Sequence, residues 1–195
     1  MPTSRPNHLA DLALTVVAEN PVDILDIGCG FGGKGVLFRE CTDIWHQRYS
    51  KPDWKTRIDA IEPHVGYLTP LHHYIYSTVY GMTFMEWYYN VATGPSRDSK
   101  GVFTYDFIYM GDVLEHMPMA DGYDTLEALG ALCDKTIYVS TPVVMHPQGA
   151  VLGNPLETHV CQWNEAMFLS VPMAKSGTWS FQVFGNILVA KWRVT

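Results

Sequence analysis

Apolar residues recur as Leu9, Leu12, Ala13, Val16 and Val17, with Asp11 and Glu19 off that stripe, so an amphipathic helix is predicted that Pro21 ends. Residues 22–27 form a short apolar run broken only by Asp23 and Asp26, and glycines follow at once, which reads as a strand feeding a tight turn. A helix over 33–40 comes next, then a strand over 58–61 that ends at Glu62. Residues 65–73 read as helix and 78–81 as a third strand, although Ile75 and Val79 also continue the helical spacing. A loop over 93–101 leads to a compact apolar strand, 105–110, ending in Gly111-Asp112. Residues 126–132 are helical and 136–140 form the next strand. The stretch 142–155 is rich in proline and glycine and should be irregular, a candidate cover for a substrate. Finally, 179–184 and 187–194 flank Gly185-Asn186, a pair suited to a hairpin turn.

Strands alternating with helices and closing on a hairpin specify an α/β fold. It is a Rossmann-like, mostly parallel sheet with helices on both faces and a C-terminal antiparallel hairpin, its ligand crevice at the carboxyl ends of the strands. At 195 residues the chain suits one domain, 1–195.

The formal net charge of -7 disfavours nucleic acid as the main partner, because phosphate binding normally needs a basic face. One local exception, residues 39–57, mixes Arg39, His46, Arg48, Lys51, Lys55 and Arg57 with Trp45, Tyr49 and Trp54; it reads as a solvated connection with aromatic anchors, the alternative being a phosphate patch. Cys29, Cys41, Cys133 and Cys161 are widely spaced without a C-x-x-C pair, so no zinc knuckle or redox dithiol is expected and a reducing cytoplasm fits. No apolar run approaches the ~20 residues that span a bilayer.

The predicted strand ends bring Asp26 with its glycines, Glu62, Gly81 and Gly111-Asp112 toward one crevice. Glycines at 28 and 30 allow a sharp turn and close approach of backbone to ligand. A carboxylate at the end of the second strand can accept from two ribose hydroxyls. Gly28-x-Gly30-x-x-Gly33 by itself also fits a nicotinamide-binding turn. Against that, Glu62 lies 29 residues after Gly33, longer than the ~20 of a dinucleotide fingerprint. An acid two residues before the first glycine suits a cationic ligand better than a pyrophosphate.

With these features in place, the sequence resembles the class I S-adenosylmethionine-dependent methyltransferases. Ile24-Leu25-Asp26-Ile27-Gly28-Cys29-Gly30-Phe31-Gly32 is similar to their first motif, Ala60-Ile61-Glu62-Pro63 to their ribose-binding acid, and Tyr105 to Ile108 with Asp112-Val113-Leu114-Glu115-His116 to their fourth-strand motif. The resemblance implies S-adenosylmethionine as cofactor, with Asp26, Gly28, Cys29 and Gly30 at its methionine portion, Glu62 and Pro63 at ribose, and Gly111 and Asp112 alongside. Many members carry an acid for the adenine amino group after the third strand; this chain has Gly81-Met82-Thr83, leaving adenine to backbone atoms, Met82 and Thr83. The activity implied is O- or N-methylation of a small-molecule or sugar-linked acceptor. His116 is the candidate general base, or else packs beside the cofactor. His146, His159 and Trp163 are candidates for the acceptor pocket, and no metal is required. Two other readings stay open: an NAD(P)-binding oxidoreductase, for which no Tyr-x-x-x-Lys is present, and a noncatalytic cofactor-binding protein.

Overall fold

In the computed structural model, which describes residues 6–93 and 103–195, seven strands form one sheet in the order β3-β2-β1-β4-β5-β7-β6. These are β1 (Asp23–Ile27), β2 (Arg57–Ile61), β3 (Thr78–Tyr80), β4 (Tyr105–Gly111), β5 (Cys133–Pro142), β6 (Gly177–Phe184) and β7 (Ile187–Val194). The first five pair in parallel, and β7 runs antiparallel between β5 and β6. Chain order reverses between β1 and β4, which opens a crevice at their carboxyl ends.

Successive residues of a strand face opposite sides of a sheet, and here both sides are covered. Along β4, Phe107 and Tyr109 join one apolar cluster while Ile108 and Met110 join the other. The first cluster is covered by α1 (Leu9–Glu19), α2 (Gly33–Arg39) and α3 (Pro70–Ile75), through Leu12, Val16, Phe38 and Ile75. The second is covered by α4 (Phe84–Trp87), α5 (Met119–Leu132) and α6 (Glu165–Leu169), through Phe84, Leu126, Leu129 and Phe168. Among the described residues no helix is long and apolar enough to cross a membrane.

Several boundaries differ from expectation for identifiable reasons. Val22 precedes β1, its N–H donating to Asp106. The helix expected over 65–73 divides into a 3-10 turn, Val65–Tyr67, and α3, because Pro70 forces Thr69 into an extended conformation and Thr69 caps the new helix. α2 runs on into a π-helical turn, Glu40–Ile44. The start of α5 was hidden by Asp121, Gly122 and Asp124, which carry no apolar stripe, and α4 and α6 are too short to show one. Asp23 and Asp59 sit on interior strands: Asp23 pairs with Arg57 and Asp59 accepts from the Tyr105 hydroxyl at 2.9 Å. The loop expected over 93–101 lies, after Thr93, outside the described residues.

The basic stretch 39–57 is neither a solvated connection throughout nor a phosphate patch. Asp43, fully buried, receives Arg39 at 2.5 Å, Arg48 at 2.7 Å and the Lys55 N–H at 2.8 Å. Arg39 also donates to Thr56 O and Ile75 O and stacks on Trp54, whereas Trp45 and Tyr49 are exposed. Burial pushes the Asp43 carboxyl up, but the bonds from Lys55, Arg48 and Arg39 outweigh it and hold the group below its ordinary range.

Asp43→Ala strands a buried guanidinium and should cost about 3–5 kcal/mol in urea unfolding at pH 7. Since folding lowers this carboxyl's pKa, the network's contribution is complete above the unfolded value of ~3.9 and fades as pH falls through the lower folded value. The difference between wild type and Asp43→Ala should therefore shrink below pH 4; a constant difference would contradict the assignment.

Candidate active site

The turn after β1 exists because three glycines there take positive φ: 70° at Gly28, 53° at Gly30 and 82° at Gly32. At Gly28 there is no room for a side chain either, since a Cβ would stand 2.5 Å from Val113 Cγ2. The turn is bonded to the end of β2. Gly28 N–H donates to Ile61 O at 2.9 Å, and Gly30 N–H donates to Glu62 Oε2 at 2.9 Å. The other Glu62 oxygen accepts from His64 N–H at 2.9 Å. Burial pushes the Glu62 carboxyl up, and these two backbone bonds pull it back. From the opposite side the buried His72 ring meets the Gly30 carbonyl through Nε2 at 2.9 Å. Because His72 Nδ1 accepts the Thr69 N–H at 3.0 Å, Nε2 carries the proton and is the donor.

A cavity of about 960 Å³ opens over this turn at the carboxyl ends of the central strands. Gly28, Cys29, Gly30, Glu62, Pro63, Thr83, Gly111, Asp112, His116, His146 and His159 all line it, as expected residues brought together from six separate segments. Three expected site residues do not. Asp26 is buried behind the turn, accepting from the Tyr76 hydroxyl at 2.5 Å; burial raises its carboxyl to about 6. Met82 packs against the core, and Phe84, Met85 and Tyr89 present themselves to the cavity instead. Trp163 is a core residue: its indole donates to Leu114 O at 3.2 Å and its ring packs on Tyr123 and Phe168.

The segment after β5 folds back over the crevice. Tyr67 pins it to the glycine turn, donating to Val151 O at 3.4 Å, accepting from Asn154 at 3.3 Å and meeting Phe31 edge-on. His116 Nδ1 lies 3.2 Å from Thr158 O, and burial lowers the pKa of this imidazole.

Lys34, on the first turn of α2, is a lining residue that sequence reasoning passed over. It is the one lysine or arginine on the cavity wall among the described residues, a wall it shares with the acidic residues Glu62, Asp112, Glu115, Asp121, Asp124 and Glu157. Burial lowers its pKa, while Asp26 and Asp112 draw it back up. The cavity is thus acidic, suited to a cationic ligand and poorly suited to a polyphosphate.

Neither a scan of protein-family models nor a search of curated proteins gave a match. Solved structures do match. The magnesium protoporphyrin IX methyltransferase ChlM from Synechocystis PCC 6803 with bound SAM superposes with a TM-score of 0.58 at 14% identity, over 96% of this chain and 78% of that one. The methyltransferase domain of bacterial CtHen1-CN gives 0.61 at 16% identity, over 97% and 98% of the two chains. The N-methyltransferase NodS from Bradyrhizobium japonicum WM9 with S-adenosyl-L-homocysteine gives 0.59 at 14% identity, over 97% and 86%. With its parallel strands, its closing hairpin and the crevice where chain order reverses, the chain has the class I methyltransferase fold.

Proposed function

We propose that the protein is an S-adenosylmethionine-dependent methyltransferase acting on a small-molecule or sugar-linked acceptor. The observation that carries this reading is the glycine turn held to Glu62 at the point where strand order reverses, on the wall of an acidic cavity. Structural neighbours that bind S-adenosylmethionine or its demethylated product support the same cofactor here. The oxidoreductase alternative fits less well, since the cavity wall carries six acidic residues against one lysine among the described residues, a poor setting for a pyrophosphate.

The cradle fits the cofactor's parts. Glu62 keeps lone pairs on both oxygens beyond the two backbone bonds, enough to accept from a ribose diol. Glycine backbone at 28 and 30 admits close approach, Lys34 offers a cation for a carboxylate, and Asp112 a carboxylate on the same wall. Phe84, Met85 and Tyr89 supply apolar and aromatic surface where an adenine acid is missing. When bound, the sulfonium supplies a methyl group already activated for displacement, so the protein's work is alignment and exclusion of water. His116, with its lowered pKa, is neutral at pH 7 and able to accept a proton from an acceptor at the cavity wall. His146 and His159, on the segment that folds over the crevice, complete that wall.

Glu62→Ala should weaken S-adenosylhomocysteine binding in calorimetry by at least ~1.5 kcal/mol, about tenfold, through the lost charge-assisted bonds. An unchanged dissociation constant would remove Glu62 from the cofactor site.

A second expectation concerns pH. Burial makes ionised Asp26 costly below about pH 6, with Lys34 and Glu62 as its charged neighbours. A bound ligand carrying an ammonium favours the ionised form, so by linkage affinity should rise as pH goes from 5 to 7. Part of that rise should be absent in Asp26→Asn; identical profiles for the two proteins would show that Asp26 does not sense the ligand.

A further inference from the structure

Glu115, His116 and His159 bring one ligand-type atom each to within 4.8 Å of one another on the cavity wall. Glu115 is 2% exposed, and although its Oε2 accepts from the Thr141 hydroxyl at 3.3 Å, its Oε1 has no hydrogen-bond partner. A carboxyl oxygen buried without a partner is costly to ionise, and a bound cation would offset that cost. Both histidines are oriented for the same purpose. His116 Nδ1 lies 3.2 Å from Thr158 O and His159 Nδ1 lies 2.7 Å from His146 O, so in each ring Nδ1 is the protonated nitrogen and Nε2 keeps its lone pair. A backbone carbonyl fixing the tautomer of an imidazole is the usual outer support of a metal-ligating histidine. Bonds of ~2.1 Å place ligand atoms on one ion ~3 to 4 Å apart, so side-chain rotation of about an ångström closes the set.

We propose that Glu115, His116 and His159 bind a divalent transition-metal ion of the manganese, cobalt and zinc group. Two imidazoles favour these ions over magnesium or calcium, which prefer all-oxygen sites. Three protein ligands leave coordination positions open toward the cavity, for water or an acceptor oxygen, and coordination lowers the pKa of such a group, its proton passing to solvent. This deepens the methyltransferase reading, and rests on it, by giving the acceptor end of the cavity its own oxygen-binding centre; with its Nε2 lone pair on the ion, His116 serves there as a ligand in place of the general base. The sequence expectation was that no metal is required; His159 lies 43 residues from His116 in the chain, and only the fold joins them.

Titration of the metal-free protein with cobalt(II) or manganese(II) chloride should give one equivalent bound per chain, cobalt with ligand-field bands of nitrogen and oxygen coordination. Glu115→Gln, His116→Ala and His159→Ala should each weaken binding at least about tenfold, while His46→Ala, at an exposed histidine, leaves it unchanged. Parallel titration with S-adenosylhomocysteine should stay within about twofold of wild type in all four variants, which shows that they are folded. No stoichiometric metal binding, or equal binding in the three site variants, overturns the proposal. Failure of S-adenosylhomocysteine to bind wild type would instead overturn the cofactor reading, whatever the metal result.

Discussion

The peptide of Gly30 is gripped from both sides, its N–H by Glu62 and its C=O by His72, and the crevice takes its shape from that grip. Gly30 stands at φ 53°, a conformation that costs a residue with a side chain and is held here by neighbours on β2 and α3. Glu62 and His72 are both buried, so neither bond competes with bulk water, and a carboxylate-to-amide bond of this kind contributes ~1.5–3 kcal/mol. His72 is in turn aimed by Thr69, the capping residue of α3. The turn, the end of β2 and the start of α3 therefore fix one another before any ligand arrives, and little ordering remains to be done on binding.

Packing and chemistry pull in opposite directions at the strand ends. Asp26 and Glu115 are buried carboxyls, each with one oxygen lacking a hydrogen bond, and a core built for stability alone would not keep them. Contrast Asp43, equally buried, whose carboxylate is fully engaged by Arg39, Arg48 and Lys55. The difference separates a structural ion network from groups that await a partner.

Most of the sheet was legible because the central strands are apolar on both faces and are punctuated by glycine or acid, as at Gly28, Glu62 and Gly111. The turn at 185–186 was legible for the same local reason, with Gly185 at φ 62°. What escaped depends on partners distant in sequence or on elements too short to show a period. Pro70 carried the signal that divides the helix expected over 65–73, yet apolar spacing alone ran through it. Trp163 sits in a polar, irregular stretch that suggests exposure, but Leu114 offers its carbonyl and Gly122 leaves room for the ring, whose Cζ2 would collide with any Cβ there. Glu115, quoted with His116 in the fourth-strand motif, was given no role of its own because its significance lies in what it fails to bond, which no spacing rule encodes.

The insertion of β7 between β5 and β6 bears on how the molecule is made. As the chain emerges during synthesis, β1 to β5 and their helices can assemble first, leaving β5 with a bare edge whose Val139 and Ile137 belong to the core. β6 appears next, but among the described residues it pairs in the finished sheet with β7 alone. Until residues 187–194 arrive, an apolar strand edge stays open to other nascent chains, so the interval just before they clear the ribosome is when this protein is most prone to aggregate.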